Sequence, residues 1–291
     1  MTKEITSKKI LSLNKKPSSW FGVQYLFNIY RGCEHKCIYC DSRSLCYGIE
    51  NFDELNVKIN AIELLEKELK NKRKKGTLGT GAMSDPYTIS EKKYMLTRKS
   101  LEIVEKYKYP IHITTKSNLI LRDVDILQEV NKIYASVAIT ITASDDDLAE
   151  KIEPFASSSN DRFKALGILS TLGICTSITM MPILRFIEDN EKNIRQIVEK
   201  AGFYGVKYIV PWLGMSLRDR QRIYYYEKLD EYFPGVKDKY IKRFNDRYRC
   251  TVRNVNKLSE ILKEECYRQG IALKMPIYEE KVAKIQLSFL D

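Results

Sequence analysis

The chain has 291 residues, 44% of them hydrophobic and 30% charged, with only 13 Gly and 8 Pro, a composition that excludes a disordered or fibrous protein and predicts a buried core. Lys and Arg outnumber Asp and Glu by 49 to 38, a net +11 that favours polyanionic partners over acidic proteins in general. The polar start MTKEITSKKI lacks the apolar stretch of a signal peptide. The uncharged run 165–184 is broken by Gly167, Gly173 and Pro182, so it reads as helix, turn and strand and no membrane span is expected. Seven cysteines, three of them within eight residues, suit a reducing compartment in which thiolates are kept for a metal. A cytoplasmic location is the expectation.

In chain order, 1–19 reads as an N-terminal extension, 20–215 as the core and 216–291 as a basic aromatic segment with a closing helix. Strand-like runs fall at 23–30, 77–82, 111–116, 136–142, 174–181 and 206–212, with a short one at 271–275. Helical stripes alternate with them, as in Ile59, Ile62, Leu65 and Leu69, and in Val255, Leu258, Ile261 and Leu262. About six βα units in succession predict an α/β fold with a parallel sheet or partial barrel. Alternation along the strands sets Ile111 and Ile113 against His112, Thr114 and Lys116. It likewise sets Val137, Ile139 and Ile141 against Thr140 and Thr142, and Ile174 and Ile178 against Cys175, Ser177 and Thr179. Three strands sharing a polar face predict an open barrel with a polar ligand in its lumen, its chemistry at the C-terminal strand ends where Ser84, Lys116 and Thr142 lie.

Directly after the first strand stands Tyr30-Arg-Gly-Cys33-Glu-His-Lys-Cys37-Ile-Tyr-Cys40, a Cx3Cx2C spacing. Three thiolates on one short loop can each reach a different iron of a [4Fe–4S] cube and leave the fourth iron open for a small molecule. A structural zinc site wants four closed ligands, and His35 is a poorly spaced fourth. Three packed core cysteines fit badly with the polar Gly32, Glu34, His35 and Lys36 around them.

At these residues the sequence resembles the radical SAM superfamily, and more widely its spore photoproduct lyase-like branch, also described as DNA repair photolyase-related. Beyond Cys33, Cys37 and Cys40 the likeness rests on Ser84-Asp85-Pro86-Tyr87, Thr115-Lys116-Ser117, Arg122-Asp123, Glu153-Pro154 and Arg162. The resemblance implies a partial (β/α)6 barrel of the TIM type, here with a C-terminal basic aromatic insert. It implies a [4Fe–4S] cluster on Cys33, Cys37 and Cys40 whose open iron binds S-adenosylmethionine (SAM), cleaved reductively to a 5′-deoxyadenosyl radical. It also implies an electron donor such as flavodoxin or ferredoxin.

The expected SAM contacts are Tyr39 beside the adenine, Lys116 on the methionyl carboxylate, Ser84, Thr140 and Thr142 as hydroxyl partners, and Arg162 on a carboxylate. Each has a plainer reading: a lysine can cap a strand end, threonine suits strands anyway, and Arg162 follows a helix start where a surface charge is ordinary. Asp85 reads as orienting the loop that carries Ser84. Cys266 lies on an apolar helix stripe and reads as packing, while Cys175, Cys46 and Cys250 have no second thiol group beside them for another cluster. His112 fits polar lining and a satisfied core histidine equally. In spore photoproduct lyases a cysteine just before the Ser-Asp pair returns hydrogen to the substrate radical, whereas Met83 stands there in this chain. A thioether has no S–H to give, so the resemblance implies a different lesion, a modification reaction, or hydrogen return from Cys175, Cys46 or a tyrosine.

The segment 218–253 carries eleven Lys or Arg against six acids, interleaved with eight Tyr or Phe. It reads as a surface insert binding a nucleic-acid backbone while its aromatics stack on bases, or else as a solvated helical surface with its tyrosines in the core. Three functions follow: a radical SAM enzyme acting on nucleic acid, one acting on a peptide or small metabolite, and a non-enzymatic metal-bearing RNA-binding module.

Overall fold

The computed structural model describes residues 2–17 and 19–279. Twelve strands are labelled in chain order: β1 (Thr2–Ile5), β2 (Leu11–Leu13), β3 (Tyr25–Phe27), β4 (Tyr30–Arg31), β5 (Leu55–Lys58), β6 (Leu78–Thr80), β7 (Ile111–Thr115), β8 (Ala135–Thr140), β9 (Cys175–Met180), β10 (Tyr208–Pro211), β11 (Gly214–Ser216) and β12 (Arg249–Thr251). The helices are α1 (Ala61–Lys70), α2 (Glu91–Tyr94), α3 (Leu96–Lys106), α4 (Val124–Asn131), α5 (Asp146–Ile152), α6 (Ser159–Thr171), α7 (Glu191–Phe203), α8 (Asp219–Tyr232), α9 (Val236–Phe244) and α10 (Val255–Arg268).

Six strands, β3, β6, β7, β8, β9 and β10, lie side by side in chain order and all parallel, and β2 pairs antiparallel with β3 at one edge. Helices return the chain between them, which gives the partial barrel that the βα rhythm predicts; β2 and β10 are its outermost strands and do not pair with each other among the described residues. Register confirms the two faces read from alternation. Ile113 pairs with Val137 and Ile139 with Ile178, on the side packed against the helices, while His112 pairs with Ser136 and Thr140 with Thr179 on the other. One core joins Ile111, Ile113, Val137, Ile139 and Ile178 to Leu101, Leu127, Phe163, Leu166 and Ile194 of the helices.

Two expected strands differ. The run 23–30 divides, because the chain leaves the main sheet after Phe27 and β4 pairs antiparallel with β5 in a small sheet ordered β1-β5-β4. At 271–275 a single bridge, Ala272 to Tyr208, extends the β10 edge.

The insert is a cap rather than an added surface loop. β11 and β12 pair antiparallel and enclose α8 and α9, whose Tyr225, Leu229, Tyr240 and Phe244 pack into a second core with Cys37, Ile38 and Tyr39 of the cysteine loop. Three of the eight aromatics expected to stack on bases are therefore buried.

Candidate active site

Because the barrel strands are parallel, the segments leaving β6, β7, β8 and β9 all emerge at one end. Gly81 makes the first exit possible: its φ is +95°, and a Cβ there would stand 1.9 Å from the Thr114 carbonyl oxygen of β7. The chain then presents Met83, Ser84 and Asp85 to a pocket that Cys33, Cys37, Cys40, Thr114 and Lys116 also line.

The cysteine loop is tied down from outside, which leaves its thiols free. Gly32, at φ +89° and with the Glu54 and Phe52 carbonyls where a Cβ would be, turns the chain into it. The Glu34 carboxylate accepts from Thr88 Oγ1, Ser90 N and Ser90 Oγ at 2.7–2.9 Å, and Ile38 N donates to Ile152 O at 2.9 Å. Burial pushes the Cys33 thiol up to about 12, with Asp85 and Cys40 adding to it. Burial raises Cys37 and Cys40 as well, against the pull of the Lys116 ammonium. Such thiols stay protonated until a metal displaces the protons. Among the described residues no group of three or more His, Cys, Asp and Glu is arranged around a single metal ion. A cube takes its thiolates on separate irons, which is the donor set that three thiols spread along one pocket offer.

Asp85 holds the pocket together. Its carboxylate accepts from Thr115 Oγ1 at 2.6 Å, Lys116 N at 2.7 Å and Tyr87 N at 2.9 Å, and His35 Nδ1 lies 3.3 Å away. Burial alone would raise its pKa, but His35, Thr115 and the Tyr87 amide hold it at about 2. The loop-orienting reading of Asp85 thus matches the geometry.

The expected contacts fall into two groups. Lys116 lines the pocket with Nζ 5.7 Å from the centre of the Tyr39 ring and has no carboxylate partner within ion-pair distance among the described residues. Burial works against its charge, yet Cys37, Glu153, Asp85 and Cys40 raise its pKa above the ordinary lysine value. Ser84 Oγ, in the pocket lining, is buried without a hydrogen-bond partner, a costly state unless a ligand completes it, whereas Thr142 is buried with its hydroxyl beside the Glu188 carboxyl and is not among the residues lining this pocket. Arg162 and Thr140 are engaged within the protein. Arg162 is buried and donates to Glu153, to Ser157 O at 2.7 Å and to Thr140 O at 2.8 Å, while Thr140 Oγ1 lies 3.4 Å from Thr179 Oγ1. Glu153 also accepts from the Tyr39 hydroxyl, so Arg162 reaches the pocket only through Glu153 and Tyr39. Burial opposes ionisation of Glu153, but Arg162 and Lys116 hold its carboxyl below the usual range.

The other candidates sort by position. Cys175 opens β9 at the end of the barrel away from Lys116: through Ser136 it is level with His112, four residues short of Lys116, or about 13 Å at the usual rise per residue. His112 is buried, stacked on Phe21 with ring centres 4.2 Å apart and bonded to Ser136 Oγ at 2.9 Å, a satisfied core histidine that burial holds neutral with a pKa near 3. Cys266 is buried in the core, as its helix stripe predicts, and Cys46 is exposed. Sequence reasoning missed Glu188, fully buried after β9 beside Thr142; its one signal is an acid directly following the apolar Phe186-Ile187.

The comparisons with known proteins agree with this geometry. The family model described as the radical SAM superfamily matches residues 27–201. An uncharacterised protein of Methanocaldococcus jannaschii is 32% identical over 71% of this chain and 76% of its own. An uncharacterised protein of Mycobacterium tuberculosis strain H37Rv is 25% identical over 82% of this chain and 71% of its own. Among solved structures, spore photoproduct lyase complexed with dinucleoside spore photoproduct superposes with a TM-score of 0.70 at 14% identity, covering 93% of this chain and 81% of that one. SuiB of Streptococcus suis bound to S-adenosylmethionine gives 0.52 at 14%, covering 87% and 50%. No helix among the described residues is long and apolar enough to cross a membrane. With the family model spanning more than half of the sequence, the chain belongs to the radical SAM superfamily, whose members use a [4Fe–4S] cluster and S-adenosylmethionine.

Proposed function

We propose that this protein is a radical SAM enzyme whose Cys33, Cys37 and Cys40 hold the cluster and whose substrate is a nucleic acid. Bound there, the cluster and SAM would supply radical chemistry, given one electron from an external reductant. Lys116 offers its unpaired ammonium to the methionyl carboxylate, a charge-assisted contact strengthened by partial desolvation. Ser84 offers a hydroxyl that otherwise lacks a partner, and Thr142 one that otherwise faces Glu188. Tyr39 supports Lys116 from beneath, fixed by Glu153, which Arg162 fixes in turn; Arg162 and Thr140 act at one remove. Met83 lines the pocket where the resemblance places a hydrogen-returning cysteine, so the hydrogen must come from elsewhere, and the position of Cys175 favours Cys46 or a tyrosine over it.

One observation carries the nucleic-acid reading. Of the eleven positive residues in 218–253, Arg218, Arg220, Arg222, Lys228 and Lys237 are taken by internal carboxylates and carbonyls. Lys239, Lys242, Arg243, Arg247, Arg249 and Arg253 are exposed, with no side-chain partner among the described residues, next to Tyr248 at 48% exposure. Six free cations and an aromatic on one cap are what backbone binding and base stacking need. Spore photoproduct lyase, by its description, binds a dinucleoside photoproduct. A second reading rests on SuiB, matched at a TM-score of 0.50 and described as bound to a precursor peptide.

Anaerobically reconstituted protein given SAM and dithionite should form 5′-deoxyadenosine, and Lys116→Ala should weaken SAM binding tenfold or more at unchanged iron and sulfide content. Stoichiometric zinc without sulfide, or no SAM cleavage, would leave the metal-bearing RNA-binding module. Cleavage without oligonucleotide binding at low ionic strength would move the substrate to a peptide or small metabolite.

A further inference from the structure

The positive charge that the cap leaves unexplained lies at the opposite end of the barrel. Residues 67–75 hold six Lys or Arg against Glu68 alone, and 218–253 eleven against six, so these two stretches account for ten of the chain's eleven excess positive charges. The first runs off the end of α1 into the turn that precedes β6. Its single acid gives no relief, because the Glu68 carboxylate accepts from Ile10 N at 2.7 Å and Leu11 N at 3.3 Å. None of Lys67, Lys70, Lys72, Arg73, Lys74 and Lys75 has a carboxylate within ion-pair distance among the described residues.

Lysines at a helix C-terminus ordinarily complement its dipole, an effect confined to the last turn, but four of these cations lie beyond α1 and are held in place. The Tyr25 hydroxyl donates to Lys74 O at 3.0 Å, and Gln24 N and Tyr25 N donate to Thr77 O at 2.8 and 3.1 Å. Lys72 Nζ lies 5.1 Å from the Tyr25 ring centre; Lys75 Nζ lies 5.6 Å from that of Tyr109 and donates to Lys108 O at 3.3 Å. Arg73 and Lys74 are exposed, with no side-chain partner among the described residues. Lys15 and Lys16, both exposed, join them: they stand between Asn14, whose amide donates to Gln24 O at 2.8 Å, and Pro17, which walls the same cavity of about 350 Å3 as Lys74 and Lys75. Residues 71–76 offer no apolar side chain to a bilayer. Repulsion among six such cations is relieved most by a partner whose own charges are close and regular, as phosphates are along a nucleic-acid strand.

We propose that this end of the barrel is a second nucleic-acid-binding surface, and that the substrate is a polymer running from the cap along the outside of the barrel to the 71–76 turn rather than a nucleotide or a free base. The inference rests on the nucleic-acid reading above and adds a length to it. β6 links the turn to the active site: Lys75 and Ala82, which lines the cysteine pocket, are seven residues apart, about 23 Å at the usual rise per residue. Phosphates follow one another about every 3.4 Å along one strand of a duplex, so a molecule that reaches both ends spans at least about seven nucleotides.

The test uses cluster-reconstituted protein and fluorescently labelled single strands of roughly four and roughly 24 nucleotides, one shorter and one longer than that span, titrated anaerobically at low ionic strength. Arg73→Glu/Lys74→Glu alters two exposed side chains far from the pocket, so circular dichroism and SAM cleavage without substrate should not change. A long strand that grips both surfaces gains from its second, intramolecular contact. In the variant the ratio of long-strand to short-strand affinity should therefore fall at least tenfold, and the log–log salt slope for the long strand should become shallower by about 1.4, as the loss of two phosphate contacts requires. A variant that binds both strands as the parent does would overturn the second surface alone; if that variant has instead lost binding to phosphatidylserine vesicles, the turn belongs to a membrane. A parent that binds neither strand would overturn both readings.

Discussion

In the segment that follows β9, Glu188 has one carboxyl oxygen bonded to Leu184 N at 2.9 Å and lies buried beside the Thr142 hydroxyl. Burial pushes its pKa from the ordinary 4.5 up to about 8, against weaker downward effects of the Thr142 hydroxyl and the Leu184 amide. The folded chain therefore keeps a proton that the unfolded chain releases above 4.5. Stability should fall as pH rises through the window from 4.5 to 8, by up to about 1.4 kcal/mol per pH unit, and level off above it. Glu188→Gln keeps an acceptor for Leu184 N and has no proton to lose. Urea unfolding of the apoprotein should give a variant that matches the parent near pH 4.5 and exceeds it by on the order of a few kcal/mol at pH 8.5; parallel stability curves would show that Glu188 ionises freely. Glu188 was hidden in the sequence because its character comes from what closes around it. The thiols of Cys33, Cys37 and Cys40 were legible because local spacing alone brings three side chains onto one short loop.

At the scale of elements, the start of the insert braces the loop that follows the cysteines. Gln221 Nε2 donates to Tyr39 O at 3.0 Å and Ser216 O at 2.9 Å, Ser216 Oγ donates to Asp41 Oδ1 at 2.9 Å, and Arg218 pairs with Asp41. Asp219 accepts from Ser44 Oγ at 2.7 Å, and Arg220 donates to Glu50 O at 2.8 Å. Gln221→Ala should leave the carbonyl of Tyr39, one residue before a cluster ligand, buried without its donor, a loss of roughly 1–3 kcal/mol. Iron release to a chelator should quicken severalfold while far-ultraviolet circular dichroism stays the same; unchanged release would mean that the loop holds itself. The helical face was readable, since Gln221, Tyr225 and Leu229 recur every four residues and are the buried set of α8. Its destination was not, because the partners of Arg218 and Arg220 lie some 170 residues away and include backbone carbonyls, which carry no residue-type signal. The division of 23–30 has a similar cause: β-rich composition marks extended chain, but which neighbour each half pairs with is decided by β5, distant in sequence.

Over the whole molecule, charge and fold divide the insert between two tasks. Its first third faces inward and positions the cysteine loop, while the free cations gather from Lys239 to Arg253, on α9, β12, the turn between them and the turn that follows β12. Neutralising phosphates with those side chains releases condensed counterions, so affinity for single-stranded nucleic acid should fall with salt at a log–log slope near −0.7 for each phosphate contacted. Arg243→Glu/Arg247→Glu/Arg249→Glu replaces three exposed residues that take no part in the brace, so SAM cleavage without substrate should persist. Fluorescence anisotropy with a labelled oligonucleotide should show binding weakened at least tenfold at low ionic strength and a slope shallower by about two, as the loss of up to three phosphate contacts requires. Tyr248→Ala should act differently, lowering affinity by about 1–3 kcal/mol with the salt slope unchanged, because stacking on a base releases no counterion. A parent whose binding is insensitive to salt, or a charge-reversed variant that binds as the parent does, would separate the cap from nucleic acid and leave the brace as its one role.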